Sequence, residues 1–180
     1  MSMKLWLKVR RPVIFGGLVL VFFLLQCTIF PSLQLGGVKP DLLIILTVAT
    51  GIIRGKKDGV LVGFFSGLLI DIQFGEILGF YALIYLVIGY AIGWSKQFFF
   101  DEELKLPLIL VFFGDFAYGI IIYVLRFLLR SEFHFVYYLN RIIIPQVIYT
   151  TIAALAFYPL IRLINRKLEE EEKRSASRFV

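Results

Sequence analysis

Three carboxylates interrupt otherwise apolar stretches of this chain: Asp41, Asp71 and Asp115. A carboxylate in hydrocarbon must be paired, hydrated or protonated, so each is a functional candidate by default. Two membrane aspartates hydrolyse peptides when they share one proton at close range. Asp71 and Asp115 fall on different expected helices at different depths, and no flanking motif supports such a dyad. Asp41 follows Pro40, where a helix-capping role explains it. Ser66 precedes Gly67 without a G-x-S-x-G elbow or a matched base. The single histidine, His134, sits in Phe133-His-Phe-Val-Tyr-Tyr138, which reads as an interfacial aromatic belt. The single cysteine, Cys27, excludes an internal disulfide and a cysteine-based metal cluster. With no phosphate loop and no metal-ligand spacing, neither metal nor cofactor is expected. No catalytic residue is assigned.

The elements that must carry these carboxylates are membrane helices. The chain is 59% hydrophobic over 180 residues, with a mean hydropathy of +0.86; soluble domains run near 45–50% apolar. The apolar residues come in blocks of about 12–23 separated by charged or Pro/Gly punctuation, as membrane spans do. Six spans are expected: Val13–Phe30, Leu42–Ile53, Gly59–Ile72, Ile77–Trp94, Leu106–Leu129 and Ile142–Ile164. Residues 1–12 form a basic N-terminal segment, 13–164 the six-helix domain, and 165–180 a charged tail that prolongs the last helix. No segment is left for a soluble core. The block after Arg11 is long for a signal sequence, and Ile29-Phe30-Pro31-Ser32 is no cleavage site, so it reads as a retained first helix. The second and third helices are short, and the polar turn Arg54–Asp58 between them is too charged to lie inside the bilayer. Two short crossing helices covered by longer neighbours are therefore expected.

The formal charge is +6. The basic residues flank apolar blocks, which points to topology control and anionic lipid rather than to nucleic acid. With the N-terminus inside, Lys4, Lys8, Arg10, Arg11, Arg54, Lys56, Lys57, Lys96, Lys105, Arg162, Arg166, Lys167, Lys173, Arg174 and Arg178 lie on one side. Only Lys39, Arg126, Arg130 and Arg141 lie on the other. The positive-inside rule then places both termini in the cytoplasm. Arg126, Arg130 and Arg141 either answer a helix dipole and snorkel to headgroups, or form a basic rim for an acidic partner.

Glycines 59, 63 and 67 are four residues apart, and Asp71 continues their row on one helix face. Tandem G-x-x-x-G steps let another backbone approach closely where lipid supplies no hydrophobic drive. The row either packs the bundle internally or docks a partner. Gly89 and Gly93, with Tyr81 and Tyr85 before them, form a second such row.

Ordered elements then stand out: Gly37-Val-Lys-Pro40-Asp41-Leu-Leu, Arg54-Gly, Gly63-Phe-Phe-Ser-Gly67-Leu-Leu-Ile-Asp71, Leu78-Gly79-Phe-Tyr81, Gly89-Tyr90 and Gly93. In these the chain resembles the MreD family of rod shape-determining proteins. The resemblance implies a non-enzymatic subunit of the bacterial cell-wall elongation complex in the plasma membrane. It implies pairing with MreC and links to MreB, a RodA-type glycosyltransferase and a class B penicillin-binding protein. It also implies an all-α fold similar to substrate-binding subunits of energy-coupling-factor vitamin transporters. Pro40, Asp41, the Gly59/Gly63/Gly67/Asp71 row and Gly89/Gly93 are the expected packing and partner surfaces, with Asp115 a buried polar group. Two other readings stay open. One is a vitamin-binding transporter subunit, with Asp71, Glu76, Tyr81 and Arg126 lining an outward pocket. The other is an intramembrane peptidase.

Overall fold

A computed structural model describes residues 2–34, 36–75, 77–97, 105–126 and 135–177, with side chains except those of residues 2–11, 126 and 172–177. Helix α1 spans Ser2–Thr28, followed by a 3-10 turn at Phe30–Leu33 that opens on Pro31. Then come α2 (Leu42–Arg54), α3 (Lys56–Phe74), α4 (Phe80–Ser95) and α5 (Lys105–Arg126). The last rod joins α6 (Phe135–Tyr138), a π segment at Leu139–Ile143, and α7 (Ile144–Ser177). Pro145 explains the π segment: it has no N–H to give and its ring crowds the carbonyl of Arg141, so the helix widens just before it.

The regular structure of the described residues is thus helical, in six rods. Lys105–Leu125 and Phe135–Glu171 are long and apolar enough to cross a membrane, while Pro12–Thr28, Leu42–Arg54 and Phe80–Ser95 are shorter apolar helices.

Helix α2 is the axis of the bundle. Ten consecutive residues, Leu42 to Gly51, are buried, and α1, α3, α4, α5 and α7 all pack on it. A helix apolar all round has no water-facing side and belongs in a core. At about 1.5 Å per residue α2 is about 20 Å long, and it is kept from lipid by its neighbours rather than by its own length. Outward faces carry Leu20, Leu24, Phe65, Ile72, Leu83, Phe113, Ile152 and Leu155, all exposed, as suits a lipid-facing surface.

Several expected boundaries move. The third helix runs over Lys56–Phe74 and not Gly59–Ile72, because Gly55 alone reverses the chain at φ 95°. A side chain would be strained there. Lys56, Lys57 and Asp58 therefore join the helix, where Asp58 answers the N-terminal dipole. The expected polar turn shrinks to one residue. The first helix begins at Ser2 and stops at Thr28, before Pro31. The fourth starts at Phe80, after Gly79 takes a left-handed φ of 97°. The last rod starts at Phe135, seven residues before Ile142, and runs on through the charged tail to Ser177. Residues 127–134, with Arg130 and His134, lie outside the described residues.

One end of the bundle is basic. Arg54 Nε donates to Asn165 Oδ1 at 2.5 Å, its guanidinium lies 4.8 Å from the Phe15 ring centre, and Asp58 stands 3.7 Å away. Lys96 Nζ reaches the Ile53 carbonyl at 2.5 Å, a cation at the negative end of α2. The start of α1, the α2–α3 turn, the end of α4 and the far part of α7 therefore meet at this end.

Candidate functional site

The glycine row lies in the seam between α3 and α4. A methyl on Gly59 would sit 2.8 Å from the Gly89 carbonyl oxygen and 2.9 Å from Gly51 Cα. On Gly63 it would lie 2.9 Å from the Tyr85 carbonyl carbon, and on Gly67 2.5 Å from Ala82 Cα. The match is reciprocal: a methyl on Gly89 would come 2.7 Å from the Gly59 carbonyl carbon, and one on Gly93 2.6 Å from Lys56 Cα. Real Cβ contacts are not this short, so backbone meets backbone along the whole seam. Each row is the other's partner, and neither faces lipid.

Asp71 closes the seam. Its Oδ2 accepts from the backbone N–H of Gly79 and Ala82 at 3.0 Å each, and its Oδ1 accepts from Tyr81 N–H at 2.8 Å. Gly79, at the N-cap of α4, has no side chain to cap with. Asp71 supplies that cap from the neighbouring helix, and its negative charge suits the helix N-terminus.

A second cluster surrounds the start of α2. Asp41 caps its own helix, accepting from Leu43 and Ile44 N–H at 3.1 Å each. Its other oxygen accepts from the Tyr85 hydroxyl of α4. Its backbone N–H donates to Thr150 Oγ1 of α7 at 3.0 Å, and Gln26 Oε1 of α1 accepts from Leu43 N–H at 3.1 Å. Four helices thus meet around the start of α2, at Asp41 and Leu43. Pro40 is buried beside it. Its ring disfavours helical geometry at Lys39, so the helix cannot start before this point.

Asp115 extends the cluster into α5. It is 1% exposed, and Gln146 Nε2 of α7 donates to its Oδ1 at 3.2 Å. Thr150 of α7 stands beside it. The Tyr118 ring bridges towards α4, with its centre 5.4 Å from that of Tyr85 and 6.4 Å from that of Tyr81.

Asp71 and Asp115 therefore have separate jobs, one on the backbone of α4 and the other against Gln146. The geometry supplies no shared proton. Ser66 is fully buried. Among the described residues no group of three or more His, Cys, Asp or Glu could hold a metal. The outward pocket of the transporter reading is closed at Asp71, 3% exposed, and at Tyr81, 8% exposed. Glu76 and the Arg126 side chain lie outside the described residues. Gln26, Thr150 and Gln146 had no motif to announce them. Their one signal is a lone amide or hydroxyl in an apolar run.

The family model for the rod shape-determining protein MreD matches residues 8–168, nearly the whole chain. The chain belongs to the MreD family. No curated protein and no solved structure matches it, and the likeness to energy-coupling-factor subunits stays an expectation. As an MreD-family protein it is a membrane protein with a role in cell shape. Its apolar exterior, and the bonds that Asp41 and Asp71 make within the bundle, fit that setting.

Proposed function

We propose that this chain is a non-enzymatic scaffold subunit of the cell-wall elongation complex, multi-pass in the bacterial plasma membrane, with both termini in the cytoplasm. It would bind MreC directly and link to MreB, a RodA-type glycosyltransferase and its class B penicillin-binding partner. The observation that carries this reading is the family match over residues 8–168. The site geometry supports it, because Asp41, Asp71 and Asp115 each bond within the bundle. A rigid body of this kind acts by differential binding, favouring one partner state by the difference in its affinity for the two. With both glycine rows inside, partner helices would meet the outward faces, such as Phe64 and Ile72 on α3, both exposed.

The test is photocrosslinking from native membranes with a photoreactive residue at Phe64 or Ile72. Recovery of a single-span shape protein or wall synthases is expected. Reproducible recovery of transporter ATPase subunits instead would overturn the reading.

A further inference from the structure

Helices α3 and α4 form a hairpin whose ends are level. Gly93 lies against Lys56 at one end, and Gly67 lies against Ala82 towards the other. The seam therefore stops either helix from sliding past its neighbour. Leu61, Phe65 and Ile72 of α3 and Leu83, Val87 and Tyr90 of α4 are exposed on this hairpin.

Polar groups mark both edges of the apolar face. At the basic end Lys57 is exposed and the Asp58 side chain is 39% exposed. Lys56 Nζ lies 5.9 Å from the ring centres of both Tyr90 and Trp94, an aromatic pair of the kind that sits at headgroup level. At the other end Gln73 is exposed, and Lys39 Nζ lies 5.0 Å from the Phe74 ring centre. The turn beyond Gln73 folds back on Asp71, which accepts from the Gly79 N–H at 3.0 Å, and adds little height. Lysines can snorkel, but the stems of Asp58 and Gln73 are too short to do so. These two residues lie about 22 Å apart along α3, at about 1.5 Å per residue. Helix α4, Phe80–Ser95, is about 24 Å long. A hydrocarbon core is about 30 Å thick, and tilt can only lower the height of a helix. Helix α5 differs. Its apolar stretch Lys105–Leu125 is about 30 Å long, and it packs with α7 on α2.

We infer that the α3–α4 face is a thin apolar band that draws the adjacent bilayer in to about 22–24 Å and prefers lipids with short acyl chains, while α5 fits a bilayer of ordinary thickness. A span shorter than the hydrocarbon is met by snorkelling, by association or by thinning of the bilayer. Asp58 and Gln73 limit the first. The small residues that would bring another backbone close are already occupied in the seam, which leaves thinning in the isolated protein. A partner helix on Phe64 or Ile72 would relieve it. The inference goes beyond the scaffold reading and rests only on the chain lying in a membrane.

The experiment is quenching of a single tryptophan by brominated phosphatidylcholine, with the purified full-length protein reconstituted in phosphatidylcholine bilayers. In a background of Trp6→Phe and Trp94→Phe, Val87→Trp reports on α4 and Phe113→Trp on α5, both exposed positions. At position 87, lipid with 14-carbon chains should bind about twofold more tightly than 18-carbon lipid, and at position 113 it should show no such advantage. Equal preferences at the two positions, or an 18-carbon preference at position 87, would overturn the inference. Absence of quenching at position 87 would mean that a second copy covers the face, and would overturn it as well. Spin labels at Lys57→Cys and Gln73→Cys, each in a Cys27→Ser background, give an independent reading. Both should report the polar headgroup layer in 18-carbon bilayers, and an acyl environment at either would show that the bilayer there is not thinned.

Discussion

Asp71 ends α3, yet its carboxylate caps α4: Oδ1 accepts from Tyr81 N–H at 2.8 Å, ten residues along the chain. The side chain that begins one helix is thus carried on another, and the glycine seam between them fixes the distance. A shift of α3 along α4 by one residue would break both at once.

Asp71→Ala should leave the Gly79, Tyr81 and Ala82 N–H groups without their acceptor. The cost expected is about 2–3 kcal/mol, and Asp71→Asn should lose about half of that, since one amide oxygen still accepts. Thermal unfolding of the purified protein in detergent reads this. Wild-type stability in the Ala variant would show that the cap does not matter.

The glycines should divide sharply. Gly67→Ala puts a methyl 2.5 Å from Ala82 Cα and should cost about 1–3 kcal/mol or more, because backbone must move. Gly16→Ala meets open space and should be neutral or stabilising by up to about 1 kcal/mol through helix propensity. Comparing the two by unfolding in the same detergent checks the seam, and equal effects would refute it.

Tyr85→Phe removes the hydroxyl that donates to Asp41. A double-mutant cycle with Asp41→Asn should return a coupling of about 0.6 kcal/mol, and at most about 1.7, as polar contacts between membrane helices do. Additive effects would mean that the contact contributes nothing of its own.

Asn165→Ala should release Arg54 from α7, to which it donates at 2.5 Å. The charged end of α7 should then exchange amide hydrogen faster, with little change near Asp41 at the other end of α2. Unchanged exchange beyond residue 165 would show that the tail is held by other means.

The helices were largely legible from local sequence. Apolar blocks and charged punctuation located all six rods, and Pro40-Asp41 announced the start of α2 by the chemistry of a cap. Boundaries slipped where one residue did the work of several. Gly55 turns the chain alone, so three charged residues expected in a turn became helix. The rod around Pro145 began early because a π segment absorbed the proline.

The residue types alone fixed that glycines 59, 63 and 67 share a face with Asp71, and that buried carboxylates need partners, because helical periodicity and the cost of desolvating charge are local properties. Only the tertiary structure decided what those faces meet. Gly89 answers Gly59 across thirty residues of chain, and Thr150 reaches Asp41 across 109. Such pairings depend on how six rods pack around α2, and no periodicity within one rod encodes its neighbour.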